Sequence, residues 1–219
     1  MNNNIKENTI ISIAGMVGVG KSTLSKKLAQ RLNFKLSLEE VDNNPYLDKY
    51  YQDFSRWGFH LQIFFLTSRF KELKKMFEQG SIGYIQDRTI FEDLEIFAKM
   101  NYDNQTMSKE DYETYKALFE SMVMTPFVKK PDIIIYLDGE LEDILQRLSL
   151  RGRDMEVATN QKYWEELYTR YQEWISTYYH TPVLKINIKD YDVEDEASID
   201  KIIQKIALIL KEYNEATNI

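Results

Sequence analysis

The sequence predicts an α/β protein, a parallel sheet covered by helices on both faces. Three observations carry that prediction. Five short aliphatic runs are spread along the chain, stretches with apolar residues at three- and four-residue steps separate them, and a glycine-rich turn joins the first run to the first such stretch. Strands alternating with helices argue for parallel pairing, in which both faces of the sheet are buried.

In chain order, Thr9 to Ala14 is β-branched and apolar and reads as the first strand. The turn after it leads into a helical pattern marked by Leu24, Leu28 and Leu32. A second strand ends at Leu38. A long helical stretch from Phe59 to Glu78 follows, then a third strand in "SIGYIQ", ending at Gln86, and a fourth in "DIIIYL", ending at Leu137. Val157 to Tyr179 carries a second long stripe, with Trp164, Leu167, Tyr168, Tyr171, Ile175 and Tyr178, and is read as core or subunit interface. The last strand, "VLKIN", ends at Asn187, and the acidic loop Asp190 to Glu196 precedes the final helix. No repeat or low-complexity linker interrupts this order, so residues 1–219 are expected to form one domain.

Composition narrows the class. The net charge of -7 disfavours nucleic acid and membrane surfaces as partners, since both are polyanionic. No cysteine is present, which removes disulfides, thiolate catalysis and cysteine-bound zinc and suits a reducing cytosol. His60 and His180 are not at ligand spacing and read as packed or surface residues. The polar N-terminus and the early break at Gly15 match neither a signal peptide nor a membrane span, so a cytoplasmic protein is expected.

Gly15-Met16-Val17-Gly18-Val19-Gly20-Lys21-Ser22, followed by Thr23, satisfies the G-x-x-x-x-G-K-[ST] pattern between a predicted strand and a predicted helix. Its glycines let backbone N–H groups turn inward around phosphates. Lys21 adds a mobile positive charge, and the Ser22 hydroxyl can take a place on Mg²⁺. Asp87-Arg88-Thr89 follows a strand, so its charges emerge at the carboxyl end of the sheet, where open α/β folds bind ligands. Read alone that pair would be a surface turn. Arg147 and Arg151 lie four apart on one helical face, Gly152 is suited to end the helix, and Arg153 follows. Such a group can be a solvated helix end. Beside a phosphate loop it can also close over the nucleotide as a lid of about residues 147–156 and exclude water.

The acceptor is read from Glu39, at the tip of the second strand. A phosphate acceptor needs cations, whereas a hydroxyl acceptor must lose a proton and benefits from a carboxylate base. Gln62 sits in the apolar "GFHLQIFFL", where a buried amide requires a polar partner, and Arg69, seven residues later, shares its helical face. Each admits a plainer reading, an acidic loop for Glu39 and a solvent-facing amide for Gln62.

Together these residues resemble the deoxynucleoside kinase family, most closely its bacterial deoxyadenosine/deoxyguanosine branch. The motifs recur in order from the phosphate loop to Glu156: the Glu39-x-Val41-x-x-Asn44-Pro45 segment, Tyr51 with Gln62 and Arg69, Asp87-Arg88-Thr89 with Asp93, and the arginine-rich segment. The resemblance implies a three-layer P-loop kinase fold with strand order 2-3-1-4-5, ATP and Mg²⁺ as cofactors, and a homodimer. It implies that Glu39 takes the proton of the sugar 5′-hydroxyl, Arg88 positions Glu39 and steadies the transferred phosphate, and Asp87 lies near Mg²⁺. Tyr51 and Glu156 would bind the 3′-hydroxyl, Gln62 the base, and Arg69 and Asp93 the base edge. Arg147, Arg151 and Arg153 would be the lid arginines, and Asp190, Tyr191 and Asp192 would contact the ATP adenine. Two positions depart from the family pattern. Thr89 replaces the more usual serine, and Glu40 stands where many animal members have proline.

An ionised Asp93 accepts hydrogen bonds, which favours the exocyclic amine of adenine or cytosine and repels the carbonyl of thymine. Deoxyadenosine is expected first, with deoxyguanosine and deoxycytidine also considered. The competing enzyme is a thymidylate-like nucleoside monophosphate kinase, which has no use for Glu39 as a base. A nucleotide switch is a further alternative, but its Asn-Lys-x-Asp signature is met only by the misordered Asn187-Ile188-Lys189-Asp190.

Overall fold

The computed structural model describes residues 5–39, 41, 43–80 and 82–217. Glu40 lies outside them.

Five parallel strands form one sheet in the order β2-β3-β1-β4-β5: β1 Ile10–Ala14, β2 Lys35–Ser37, β3 Tyr84–Asp87, β4 Ile133–Asp138 and β5 Val183–Asn187. Central β1 is buried at all of its positions, as a strand covered on both faces must be. Edge strand β2 is short and turns Lys35 and Leu36 outward, which discourages pairing with another chain.

Helix α1, Lys21–Leu32, buries Leu24, Leu28 and Ala29 along one face and ends on the left-handed Asn33. After the short α2, Leu47–Gln52, comes α3, Phe54–Gln79, which starts five residues before the periodicity predicts. Asp53 explains the earlier start, since its side chain caps the helix by accepting from Arg56 N at 3.0 Å. Leu61, Gln62, Leu66, Arg69, Leu73 and Met76 form its buried face, so Gln62 and Arg69 do share one side.

Next come α4, Ile90–Glu92, a π-helical stretch, Asp93–Ala98, and α5, Lys99–Asp103, as one continuous rod, then α6, Lys109–Val123. Helix α7, Leu141–Arg151, ends on Gly152 at φ 69°. The helix expected from Val157 is two elements, α8, Asp154–Val157, and α9, Gln161–Thr177, because the Asn160 side chain accepts from Lys162 N and starts a new helix there. Helix α10, Glu196–Thr217, closes the chain with Ile199, Ile202, Ile203, Ile206 and Leu210 on the core.

The main apolar core packs β1, β4 and β5 against α1, α7, α9 and α10. A second cluster joins α3 and α6 through Leu66, Leu73, Tyr115 and Phe119. A third cluster, Leu47, Tyr50 and Leu61, lines part of the pocket at the carboxyl ends of β2 and β3.

Candidate active site

The loop after β1 wraps tightly because its glycines adopt backbone forms that side chains avoid. Gly15 has φ 141° and Gly18 φ 87°, and a Cβ on Gly18 would lie 2.6 Å from Leu148 Cγ of α7. Lys21 folds back across the loop, its Nζ donating to Gly15 O at 2.9 Å and Met16 O at 3.0 Å. Burial, with Arg88 adding to it, lowers the Lys21 pKa to about 8.

Beside the loop, Ser22 Oγ donates to Asp87 Oδ2 at 2.5 Å, while Asp87 Oδ1 is buried with no hydrogen-bond partner among the described residues. A buried, unsatisfied carboxylate oxygen next to a hydroxyl is a donor set made for a hard cation. Ser22 and Asp87 therefore fit the Mg²⁺ expected from the sequence.

Glu39 extends from the end of β2 and meets two arginines. Arg88 Nε donates to Glu39 Oε1 at 2.7 Å, and Arg69 Nη2 donates to the same oxygen at 3.2 Å. Burial pushes the Glu39 carboxyl up, but Arg88, Arg69 and Lys21 together outweigh it and hold the pKa at about 2. Arg88 itself stands at φ 73°, a backbone form rare outside glycine and found where surrounding structure enforces it.

Deeper in the pocket, Arg69 also grips Asp93, Nε to Oδ2 at 2.7 Å and Nη2 to Oδ1 at 3.3 Å. Burial raises the Asp93 pKa to about 6 against the pull of Arg69. Asp93 opens the π-helical stretch, whose wider turn keeps Phe97, four residues on, at the same pocket wall. Gln62 lines that wall too, and its buried amide makes no hydrogen bond among the described residues.

Tyr51 and Glu156 also line the cavity. Burial, then the nearby Glu156 charge, pushes the Tyr51 phenol pKa upward. Glu156 is tied to both neighbouring arginines: Arg151 Nη2 donates to Oε2, and Arg153 Nη1 to Oε1 at 3.4 Å. Arg147 points instead at the phosphate loop, donating to Val19 O at 3.2 Å.

Lys21 and Ser22 of the loop, the carboxylates Glu39, Asp87, Asp93 and Glu156, and Arg88, Arg151 and Arg153 thus share one pocket, with Arg69 bonded to Glu39 and Asp93 and Arg147 to the loop. Asp190, Tyr191 and Asp192 stand apart from its lining; they follow β5, where Arg147 is near enough to pull on the Tyr191 hydroxyl, although burial dominates and raises its pKa.

A family model described as deoxynucleoside kinase matches residues 11–211. The chain belongs to the deoxynucleoside kinase family. Among curated members of this kinase family, the deoxyadenosine/deoxycytidine kinase of Bacillus subtilis strain 168 is 59% identical over 207 residues, covering 94% of this chain and 95% of its own. The deoxyadenosine kinase of Dictyostelium discoideum is 38% identical, covering 96% and 85%. A solved deoxyadenosine kinase from M. mycoides, holding dCMP and a flexible dCDP, superposes with TM-score 0.79 at 34% identity and covers 92% of this chain and 100% of its own. The parallel sheet in order 2-3-1-4-5 is a P-loop kinase fold, and the present kinase shares its fold with the solved M. mycoides enzyme.

Several pocket groups escaped the sequence. Phe97 and Tyr163 line it, and Tyr171 and Glu92 bond to Arg88 or to each other from behind. Glu92 left one legible mark, the Thr89-Ile90-Phe91-Glu92 pattern of a capping box, which is fully formed here. Tyr171 was hidden in an aromatic stripe whose helical spacing says only that it is buried.

Proposed function

We propose that this kinase transfers the γ-phosphate of ATP to the 5′-hydroxyl of a deoxynucleoside, with deoxyadenosine favoured and deoxycytidine accepted. One observation carries the reading: the residue facing Lys21 and Arg88 at the tip of β2 is a carboxylate, Glu39. An acceptor that was already a phosphate would meet negative charge there, whereas an alcohol finds a base. This weighs against a monophosphate kinase.

With its pKa near 2, Glu39 is too weak a base to remove an alcohol proton before phosphorus arrives. In a loose phosphoryl transfer it need not. Glu39 orients the hydroxyl as an acceptor and takes the proton late, when the new P–O bond has made that oxygen acidic.

Lys21 and the loop N–H groups hold the donor phosphates, and Arg147, Arg151 and Arg153 form the lid over them. Bound at Ser22 and Asp87, Mg²⁺ would supply charge neutralisation across the β- and γ-phosphates. Tyr51 and Glu156 hold the 3′-hydroxyl, Phe97 stacks against the base, and Gln62 and Asp93 meet its edge. Adenine and cytosine both present an exocyclic amine to Asp93, which fits the substrates in the name of the Bacillus subtilis relative. Asp190, Tyr191 and Asp192 border the adenine of ATP.

Residues 1–219 act as one domain in a cytoplasmic enzyme, consistent with the absence of any helix long and apolar enough to cross a membrane among the described residues. Exposed Phe77, Leu118 and Met124, where α3 and α6 run together, support a homodimer.

The test is an assay with Mg-ATP against the four deoxynucleosides and their monophosphates. Phosphorylation of deoxyadenosine and deoxycytidine is expected. Turnover confined to monophosphates would end this reading.

A further inference from the structure

Arg88 is held from behind by two residues that do not touch the proposed substrates. Its Nε bonds to Glu39, while Nη1 donates to the Tyr171 hydroxyl and lies 3.5 Å from Glu92 Oε1. The Tyr171 hydroxyl donates in turn to Glu92 Oε1 at 2.9 Å. The other oxygen of Glu92 accepts from Thr89 N at 2.7 Å and Thr89 Oγ1 at 3.1 Å. Phe97 lies under the guanidinium, 4.7 Å from ring centroid to Cζ.

Glu92 and Tyr171 are wholly buried, at 0% exposure. Burying a carboxylate is costly, and an apolar residue of similar size would commonly serve stability as well or better. Its placement is explained by what it holds. With Nε and Nη1 engaged, Arg88 Nη2 has no partner among the described residues, and Arg88 lines the pocket.

We propose that Glu92 and Tyr171 are positioning residues for phosphoryl transfer: they fix the plane of the Arg88 guanidinium so that Nη2 is presented to the transferring phosphoryl group. The proposal rests on the kinase reading above. The clamp acts at the phosphate end of the pocket, so it is indifferent to the base.

The test compares Tyr171→Phe and Glu92→Gln with wild type. Tyr171→Phe removes only the hydroxyl, and Glu92→Gln keeps an acceptor for Thr89, so both are expected to fold with melting temperatures near wild type. Losing one hydrogen bond to a charged group should lower kcat about tenfold. The fall should be equal for deoxyadenosine and deoxycytidine, with KM for nucleoside and ATP within about twofold of wild type, as expected for an interaction used in the transition state. Wild-type kcat in Tyr171→Phe overturns the clamp, as does a loss carried by KM for one base only, or one that tracks thermal unfolding and disappears on cooling. A wild-type enzyme inert toward all deoxynucleosides would sink the kinase reading itself, and the clamp with it.

Discussion

Arg69 Nη2 stands 3.2 Å from Glu39 Oε1, so the cation that grips Asp93, the proposed base-edge group, also touches Glu39, the proposed proton acceptor. In the proposed mechanism, base selection and chemistry therefore share a side chain. Arg69→Met together with Asp93→Ala should shift preference toward thymidine and also lower turnover of deoxyadenosine. kcat/KM for the four deoxynucleosides checks both, and an unchanged preference order counts against the assignment. Arg69→Met alone should be the less stable variant, because it strands a buried Asp93. Breaking a buried pair from one side costs about 3–5 kcal/mol, and chemical denaturation of the single and double variants measures the difference.

Glu39→Gln keeps shape and removes the proton acceptor. Turnover of deoxynucleoside should fall by roughly a hundredfold or more, the usual scale for a general base, while ATP affinity changes little. Near-normal kcat would contradict the role given to Glu39.

With Asp93 in the proposed base-edge role, its pKa, raised by burial to about 6, should make base choice sensitive to pH. Above that value the carboxylate accepts from an amine; below it the protonated acid can donate to the carbonyl of thymine. The ratio of kcat/KM for thymidine over deoxyadenosine should rise as pH falls from 8 to 5, about the span set by this group. Glu39, near 2, stays ionised throughout and contributes no acid limb. A flat ratio refutes the base-edge assignment. Stability follows the same sign. The raised folded-state value favours the folded protein below the unfolded value, about 3.9, and that contribution is lost as pH rises through about 6.

Asp87→Asn leaves the pocket wall in place but removes charge from the oxygen that lacks a partner. The Mg²⁺ concentration for half-maximal activity should rise about 10- to 100-fold, read from a magnesium titration at fixed ATP. An unaltered titration would move the cation elsewhere.

The strands and the phosphate loop were legible because their signals are local: β-branched runs, glycines at fixed spacing, and a lysine that follows them. Gln62 and Arg69 could be paired because helical periodicity alone places them on one face. Tyr171 could not be found this way. It reaches Arg88 across 83 positions of sequence, and only the packing of α9 against the π-helical stretch brings them together. The π-helix itself left no mark, since the ordinary periodicity of Asp93, Ile96 and Phe97 would suit an α-helix equally. At Asn160 an asparagine that caps a helix was read as part of one.

Gly18 has no side chain, and Leu148 fills the space against it, while the adjacent Arg147 bonds to the adjacent Val19 O. The root of the proposed lid is thus seated on the phosphate loop. What remains to swing is a short arm from Gly152 to Glu156, fastened by ion pairs to half-exposed arginines. On the proposed lid reading, egress of product would be gated by a charged latch rather than a domain-scale sweep. The off-rate should quicken with added salt and respond little to viscous cosolvent.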